Sequence, residues 1–114
     1  MDKCLFCDII DGKIASQKHS ETALVYAFYD IHPQAPLHIL LIPKEHIHSI
    51  LEVKENHASV LSEMVQLAQA IAKKEAVDKT GFRLVFNCGP NAGQAVDHLH
   101  LHLLAKRKLA WPPG

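Results

Sequence analysis

Two periods of hydrophobic and polar positions divide this chain into elements. Ala23–Tyr29 concentrates strand formers (Leu24, Val25, Tyr26, Phe28) and runs into Asp30–Pro36, a turn-rich segment punctuated by Pro33 and Pro36. Leu37–Ile42 is an apolar run broken only by His38 and stopped by Pro43, which by its length predicts a buried strand. From Val53 to Ala76 the period lengthens. Val60, Leu61, Met64, Leu67, Ala68 and Ile71 recur at three- and four-residue spacing, one face of a helix, and Asp78, Thr80 and Gly81 end it. Phe82–Phe86 predicts another strand, Asn87–Gln94 a Gly/Asn/Pro loop, and His98–Leu104 a strand of strict period two. A short, partly apolar segment, Leu5–Asp11, precedes these and is closed by Gly12, and prolines keep the end of the tail Lys106–Gly114 from being helical. The order strand, strand, long helix, strand, loop, strand predicts an α+β domain with an antiparallel sheet.

Length and composition narrow the classes. The 114 residues make a single domain, 1–114, and the 48% hydrophobic and 21% charged residues are ordinary globular usage. Twelve Lys and Arg balance twelve Asp and Glu, which argues against a broad nucleic-acid-binding surface. Lys106-Arg107-Lys108 reads as a solvated basic run. No stretch approaches the roughly 18 apolar residues of a membrane span. The N-terminus lacks an apolar core behind a basic region, and three cysteines argue against a disulfide framework. A reducing, cytoplasmic setting is expected.

Nine histidines are the outlier of the composition, and His98-Leu99-His100-Leu101-His102-Leu103-Leu104 is its centre. On a strand, His98, His100 and His102 share one face, about 6.5–7 Å apart, while Leu99, Leu101 and Leu103 share the other and can enter a core. Three readings are open: a polar stripe facing solvent, a metal site built on imidazoles, or nucleophilic catalysis at phosphorus by a neutral imidazole. The preceding Gly89-Pro90-Asn91-Ala92-Gly93-Gln94 suits a loop whose backbone N–H groups cradle a phosphate. Cys4-x-x-Cys7 has the spacing of half a zinc site, a spacing that also suits a turn with two buried thiols. Cys88 reads as a packed residue, and His19, His32 and His57 as surface histidines.

The run His98–Leu104 matches His-φ-His-φ-His-φ-φ, with φ hydrophobic, at every position, and so resembles the signature of the histidine-triad (HIT) family. Phe28–Pro36, the segment from His38 through Leu40–His46, Asn87, Gly93-Gln94 and Trp111-Pro112-Pro113-Gly114 extend the resemblance over nearly the whole chain, closest to the purine nucleoside phosphoramidase branch. The resemblance implies a HIT-like fold: an antiparallel five-stranded sheet with one long helix and a short N-terminal helix, paired into a ten-stranded sheet in a homodimer. It implies a purine nucleotide substrate of AMP or GMP type. His100 would be the nucleophile that becomes nucleotidylated, His102 would contact the phosphate, and His38 would close the site and move protons. Asp30 would hold the ribose, Phe28, Tyr29 and Ile31 would line the base pocket, and Asn87, Gly93, Gln94, Ala95 and Val96 would lie along the phosphate. Trp111 would reach the partner's site in the homodimer. Relatives carrying the cysteine pair bind one structural zinc per chain, which here would be held by Cys4, Cys7, His46 and His98. His48, two residues from His46, is the rival ligand.

Two positions depart from the branch. Ala95 stands where a serine thought to assist the leaving group is frequent, and Asp97 stands where an aromatic or apolar residue is usual. By alternation Asp97 falls on the leucine face, so it is expected to be partnered or near the strand's mouth. The implied activity is hydrolysis of P–N or related bonds in nucleoside monophosphate derivatives, with no metal required for the chemistry. The other readings are a nucleotide-binding adaptor with incidental hydrolysis and a hydrolase with catalytic zinc on the triad itself.

Overall fold

A computed structural model describes residues 4–114; residues 1–3, the start of the segment read for a leader, lie outside the described residues. Five strands, β1 (Lys18–Glu21), β2 (Val25–Tyr29), β3 (Leu37–Pro43), β4 (Phe82–Phe86) and β5 (Leu101–Ala105), form one antiparallel sheet in the order β1-β2-β3-β5-β4. Helix α1 (Leu5–Ile10) covers one face and α2 (Ala58–Lys74) the other.

The central strand explains its own composition. All of β3 is buried, because both faces are covered, and a strand buried on both faces reads as a continuous apolar run. Ile39 and Leu41 join the α2-side core with Val60, Met64, Leu67, Ile71, Leu99, Leu101 and Leu103. Leu40 and Ile42 join a smaller core on the α1 side with Phe6, Ile9 and Phe28. The leucines of the histidine run therefore enter the main core as the alternation predicts.

The boundaries shift in three places. β1 does not register as a strand in the sequence, because Lys18-His19-Ser20-Glu21 has no apolar face; such polar, charged residues suit an edge strand. The long helix starts at Ala58, not Val53, because two short 3-10 turns, Ile50–Glu52 and Glu55–His57, take up the preceding residues. Ser49 caps the first turn through Leu51 N–H, and His57 Nδ1 accepts Lys54 N–H in the second. The histidine strand pairs only from Leu101, since Leu99 N–H turns to the carbonyl of Ile47 at 2.6 Å.

Two histidines expected at the surface are not there. The side chain of His19 is 3% exposed, with Nε2 3.0 Å from Glu75 Oε2, and His57 is buried with Nε2 donating to Glu45. His32 is exposed as expected. No helix among the described residues is long and apolar enough to cross a membrane.

Candidate active site

Register across β2, β3 and β5 gathers Phe28, His38, His100 and His102 on the α1 face. Leu40 pairs with His102, and His38 stands one pleat along the same face. His38 Nε2 lies 2.9 Å from His102 Nδ1 and 3.5 Å from Asp30 Oδ2. The rings of His100 and His102 stand with centroids 5.0 Å apart. Phe6 of α1 packs edge-on against His98 and His100 at 5.9 and 5.2 Å, and Phe28 packs behind Phe6.

The proton positions follow from the backbone partners, because a carbonyl only accepts and an amide N–H only donates. His100 Nδ1 lies 2.7 Å from the carbonyl of His98, so it donates and Nε2 keeps a lone pair. Gln34 N–H donates to His38 Nδ1 at 3.0 Å, so neutral His38 carries its proton on Nε2 and gives it to His102 Nδ1. His102 then carries its own proton on Nε2, and this is the buried side-chain nitrogen or oxygen without a hydrogen-bond partner among the described residues. Leaving such a group unpaired costs about 1–3 kcal/mol. Neighbouring rings thus offer a nucleophilic lone pair and a bare N–H donor, the pairing that attack on a phosphoryl group needs.

Asp30, His38 and His102 also lie close enough together to hold a metal ion. The hydrogen-bond directions do not suit that use, because both nitrogens of His38 are committed, one to an amide N–H and one to His102. His98 and His100 turn their Nδ1 atoms to different partners, the cysteine sulfurs and the His98 carbonyl. The donor set therefore does not fit catalytic zinc on the triad.

Burial favours the neutral form of His38, His98 and His102. It pushes His102 down to about 4, helped by the neighbouring His100 and His38, and His98 to about 4 against the opposing Pro43 carbonyl. It also lowers His38, against the pull of Asp30. The unfolded chain binds protons on these side chains near pH 6.5, so between about 6.5 and 4 it binds more protons than the folded chain. Stability is therefore expected to fall as pH drops through that window, by up to about 1.4 kcal/mol per pH unit for each histidine. Thermal midpoints measured from about pH 7 down to about pH 5 should decline, and His102→Asn should make the decline shallower. A wild-type midpoint independent of pH would contradict this.

The loop after β4 is held by its own side chains. Gly89 adopts φ 84°, ψ 174°, a region essentially open only to glycine, and Gly93 is left-handed at φ 81°. Gln94 Oε1 accepts Gly89 N–H at 3.0 Å, while its Nε2 donates to the carbonyls of His48 and Val96. The Gln94 side chain is thus a staple of the loop. Ala95 is exposed and Val96 half-buried against the α1-side core. Asn87 follows Phe86, the partner of Leu101, which brings it to the level of His100.

A second cluster lies at the other end of the triad. Cys4 Sγ is 3.3 Å from His98 Nδ1, Cys7 Sγ is 3.3 Å from His46 Nδ1 and 3.5 Å from His98 Nδ1, and the four ligand atoms lie within 4.8 Å of one another. Donors around a tetrahedral zinc, with bonds of about 2.0–2.3 Å, stand about 3.3–3.8 Å apart. His98 Nε2 donates to the Pro43 carbonyl at 2.9 Å, leaving Nδ1 free to ligate, the outer support that ligating histidines require. The donor set and its spacing fit zinc. Without a cation, burial and the adjacent Cys4 sulfur push the Cys7 thiol up to about 11; a bound cation deprotonates such a thiol. His48 is not in the cluster; it lies 3.6 Å from Asp97, which is exposed at a bend and so not on the leucine face of the strand.

One expected base-side residue is placed differently. Tyr29 packs on the α2 side, against the main core and His19 (centroids 5.6 Å apart), because Phe28 and Tyr29 alternate across β2. Ile31 and Trp111 are 84% and 81% exposed in the single chain. Gln34, whose amide orders the His38–His102 pair, is a site residue that the motif does not mark.

A family model described as scavenger mRNA decapping enzyme C-term binding matches residues 3–110. A 14 kDa zinc-binding protein of Brassica juncea is 42% identical over 114 residues, covering 94% of this chain and all of that one. Adenylylsulfatase HINT1 of Arabidopsis thaliana is 41% identical over 112 residues, covering 96% of this chain and 76% of that one. The crystal structure of a HIT family hydrolase from Legionella pneumophila superposes with a TM-score of 0.96 at 44% identity, covering 98% of this chain and all of that one. By its triad, its sheet and these relatives, the chain belongs to the histidine-triad (HIT) family, whose solved members at this similarity include hydrolases.

Proposed function

We propose that the protein is a purine nucleoside phosphoramidase or nucleotidyl hydrolase working through a nucleotidyl-His100 intermediate. The observation that carries the reading is the pair of fixed protons: His100 presents a lone pair on Nε2 beside the unpartnered Nε2–H of His102. A substrate of the form nucleoside-5′-phosphoryl-X places its phosphorus against His100. His100 Nε2 attacks, the P–X bond breaks, and X leaves with the bonding electrons, taking up a proton from solvent when X is an amine, a proton that the attacking water returns in the second step. His102 Nε2–H, Asn87 and the loop carry the charge that develops on the phosphoryl oxygens. Water then attacks phosphorus, the P–N bond to His100 breaks, and the nucleoside monophosphate leaves. Phe28 and Ile31 serve the base, and Asp30 takes the ribose hydroxyls, its Oδ1 already accepting His32 N–H at 2.8 Å. The Arabidopsis relative, an adenylylsulfatase by name, supports scission of a bond between a nucleotide phosphorus and a leaving group.

Zinc on Cys4, Cys7, His46 and His98 would supply a cross-link and no step of the reaction; the Brassica relative, a zinc-binding protein by name, supports this. A second copy would pair along β4, a sheet-edge strand with Leu84 37% exposed, and bring its Trp111 to this site. Three cysteines without a disulfide, two of them in the proposed zinc site, suit the reducing cytoplasm. The test is intact-mass analysis after mixing with an AMP-phosphoramidate. A gain of one AMP that decays with hydrolysis is expected, and turnover with no trapped adduct at any time would remove the covalent step.

A further inference from the structure

We propose that Arg107 is a positioning residue for the His38–His102 pair, acting through the main chain of Gln34. Its kinetic half rests on the reading of the site as a nucleotidyl hydrolase; its structural half does not.

The chain leaves β5 through Lys106 in a left-handed conformation, φ 70°, unusual for a residue with a side chain. This bend comes immediately before Arg107, whose Nε donates to the carbonyl of Gln34 at 2.9 Å across 73 residues, while Nη1 donates to the carbonyl of Lys108 at 3.0 Å. Gln34 is itself exposed and lies in the Asp30–Pro36 segment, which belongs to no strand or helix; its side chain reaches only the carbonyl of His32, at 3.1 Å. The carbonyl held by Arg107 and the N–H that meets His38 Nδ1 flank the same Cα. Arg107 therefore fixes the residue whose amide sets the His38 tautomer.

The tautomer matters at the reacting end. With Gln34 N–H in place, His38 donates to His102, and His102 faces the site with an N–H. If the amide drifts, His38 can carry its proton on Nδ1. The hydrogen bond then reverses, His102 donates from Nδ1, and its Nε2 turns a lone pair toward the phosphoryl oxygens where a donor is needed. Arg83 provides the contrast. Its Nη2 donates to the carbonyls of Leu109 and Ala110 at 3.3 and 2.9 Å, so it holds the same tail without touching Gln34.

The experiment compares the full-length wild type with Arg107→Ala, Arg107→Lys and Arg83→Ala. Long-range proton–nitrogen correlation spectra of the imidazoles report which nitrogen of His38 and His102 is protonated. A single Nε2–H form is expected for both rings in wild type and in Arg83→Ala, mixed tautomers in Arg107→Ala, and a return toward the single form in Arg107→Lys. With an AMP-phosphoramidate, Arg107→Ala should lose about tenfold in kcat with KM within about twofold, while Arg83→Ala acts chiefly on KM. Should Arg107→Ala not fold, Gln34→Pro deletes the amide donor itself and must show the same mixed tautomers. Unchanged tautomers in Arg107→Ala, or an equal fall of kcat in Arg83→Ala, would overturn the proposal. A wild type that turns over no nucleotide substrate would remove the hydrolase reading instead, and the tautomer spectra would still decide the role of Arg107.

Discussion

Replacing His100 with alanine is expected to lower kcat on an AMP-phosphoramidate by on the order of 10,000-fold, with little change in KM. The alanine deletes the Nε2 lone pair, the group proposed to attack phosphorus, while leaving in place the His102 donor and the loop proposed to bind the phosphate. Loss confined to kcat is the mark of an interaction used only on the way to the transition state. The mass adduct of one AMP should vanish in the same variant. Zinc content must be measured alongside, because His100 Nδ1 donates to the carbonyl of His98 and its ring packs on Phe6. A variant that keeps its zinc but loses turnover separates chemistry from folding. A His100→Ala protein within tenfold of the wild-type rate would end the covalent mechanism.

Cys4→Ser should remove the zinc, from one per chain to near none by metal analysis, and lower the thermal midpoint by about 12–30 °C. That size follows if zinc is present at about 100–1,000 times its dissociation constant, where a ligand stabilises by about 3–4 kcal/mol. A domain of about this length loses roughly 4–8 °C per kcal/mol. Chelator-treated wild type should converge on the same midpoint, because both lose the link between α1 and His98. His48→Ala should keep its zinc, since His48 faces Asp97. Zinc retained at one per chain in Cys4→Ser would overturn the assigned ligands.

Much of the site is legible in the sequence because its signals are local. Alternation alone puts Leu99, Leu101 and Leu103 into the core and leaves the three histidines on the opposite face. The helical face from Val60 to Ile71 is local in the same sense. What escapes depends on distant partners. His19 reads as a surface residue until Glu75, 56 positions away, closes over it. His57 reads the same way until its ring proves to accept from Lys54 and donate to Glu45. β1 escapes because an edge strand needs no apolar face. Tyr29 is different: the alternation of β2 already sets it opposite Phe28, so the sheet period corrects the motif there.

The place of β5 has a consequence for how the protein is made. β5 lies between β3 and β4 although it is the last strand to be synthesised. His38 meets His102 across 64 positions, and Cys4 meets His98 across 94. A nascent chain stopped after β4 has a gap where its central strand pair belongs, with neither the Cys/His cluster nor the imidazole pair assembled. Folding must therefore insert β5 between β3 and β4, a non-local closure of the kind that slows folding. On the ribosome, the Cys/His cluster and the imidazole pair are expected to be completed together, only after the histidine segment and β5 have cleared the exit tunnel.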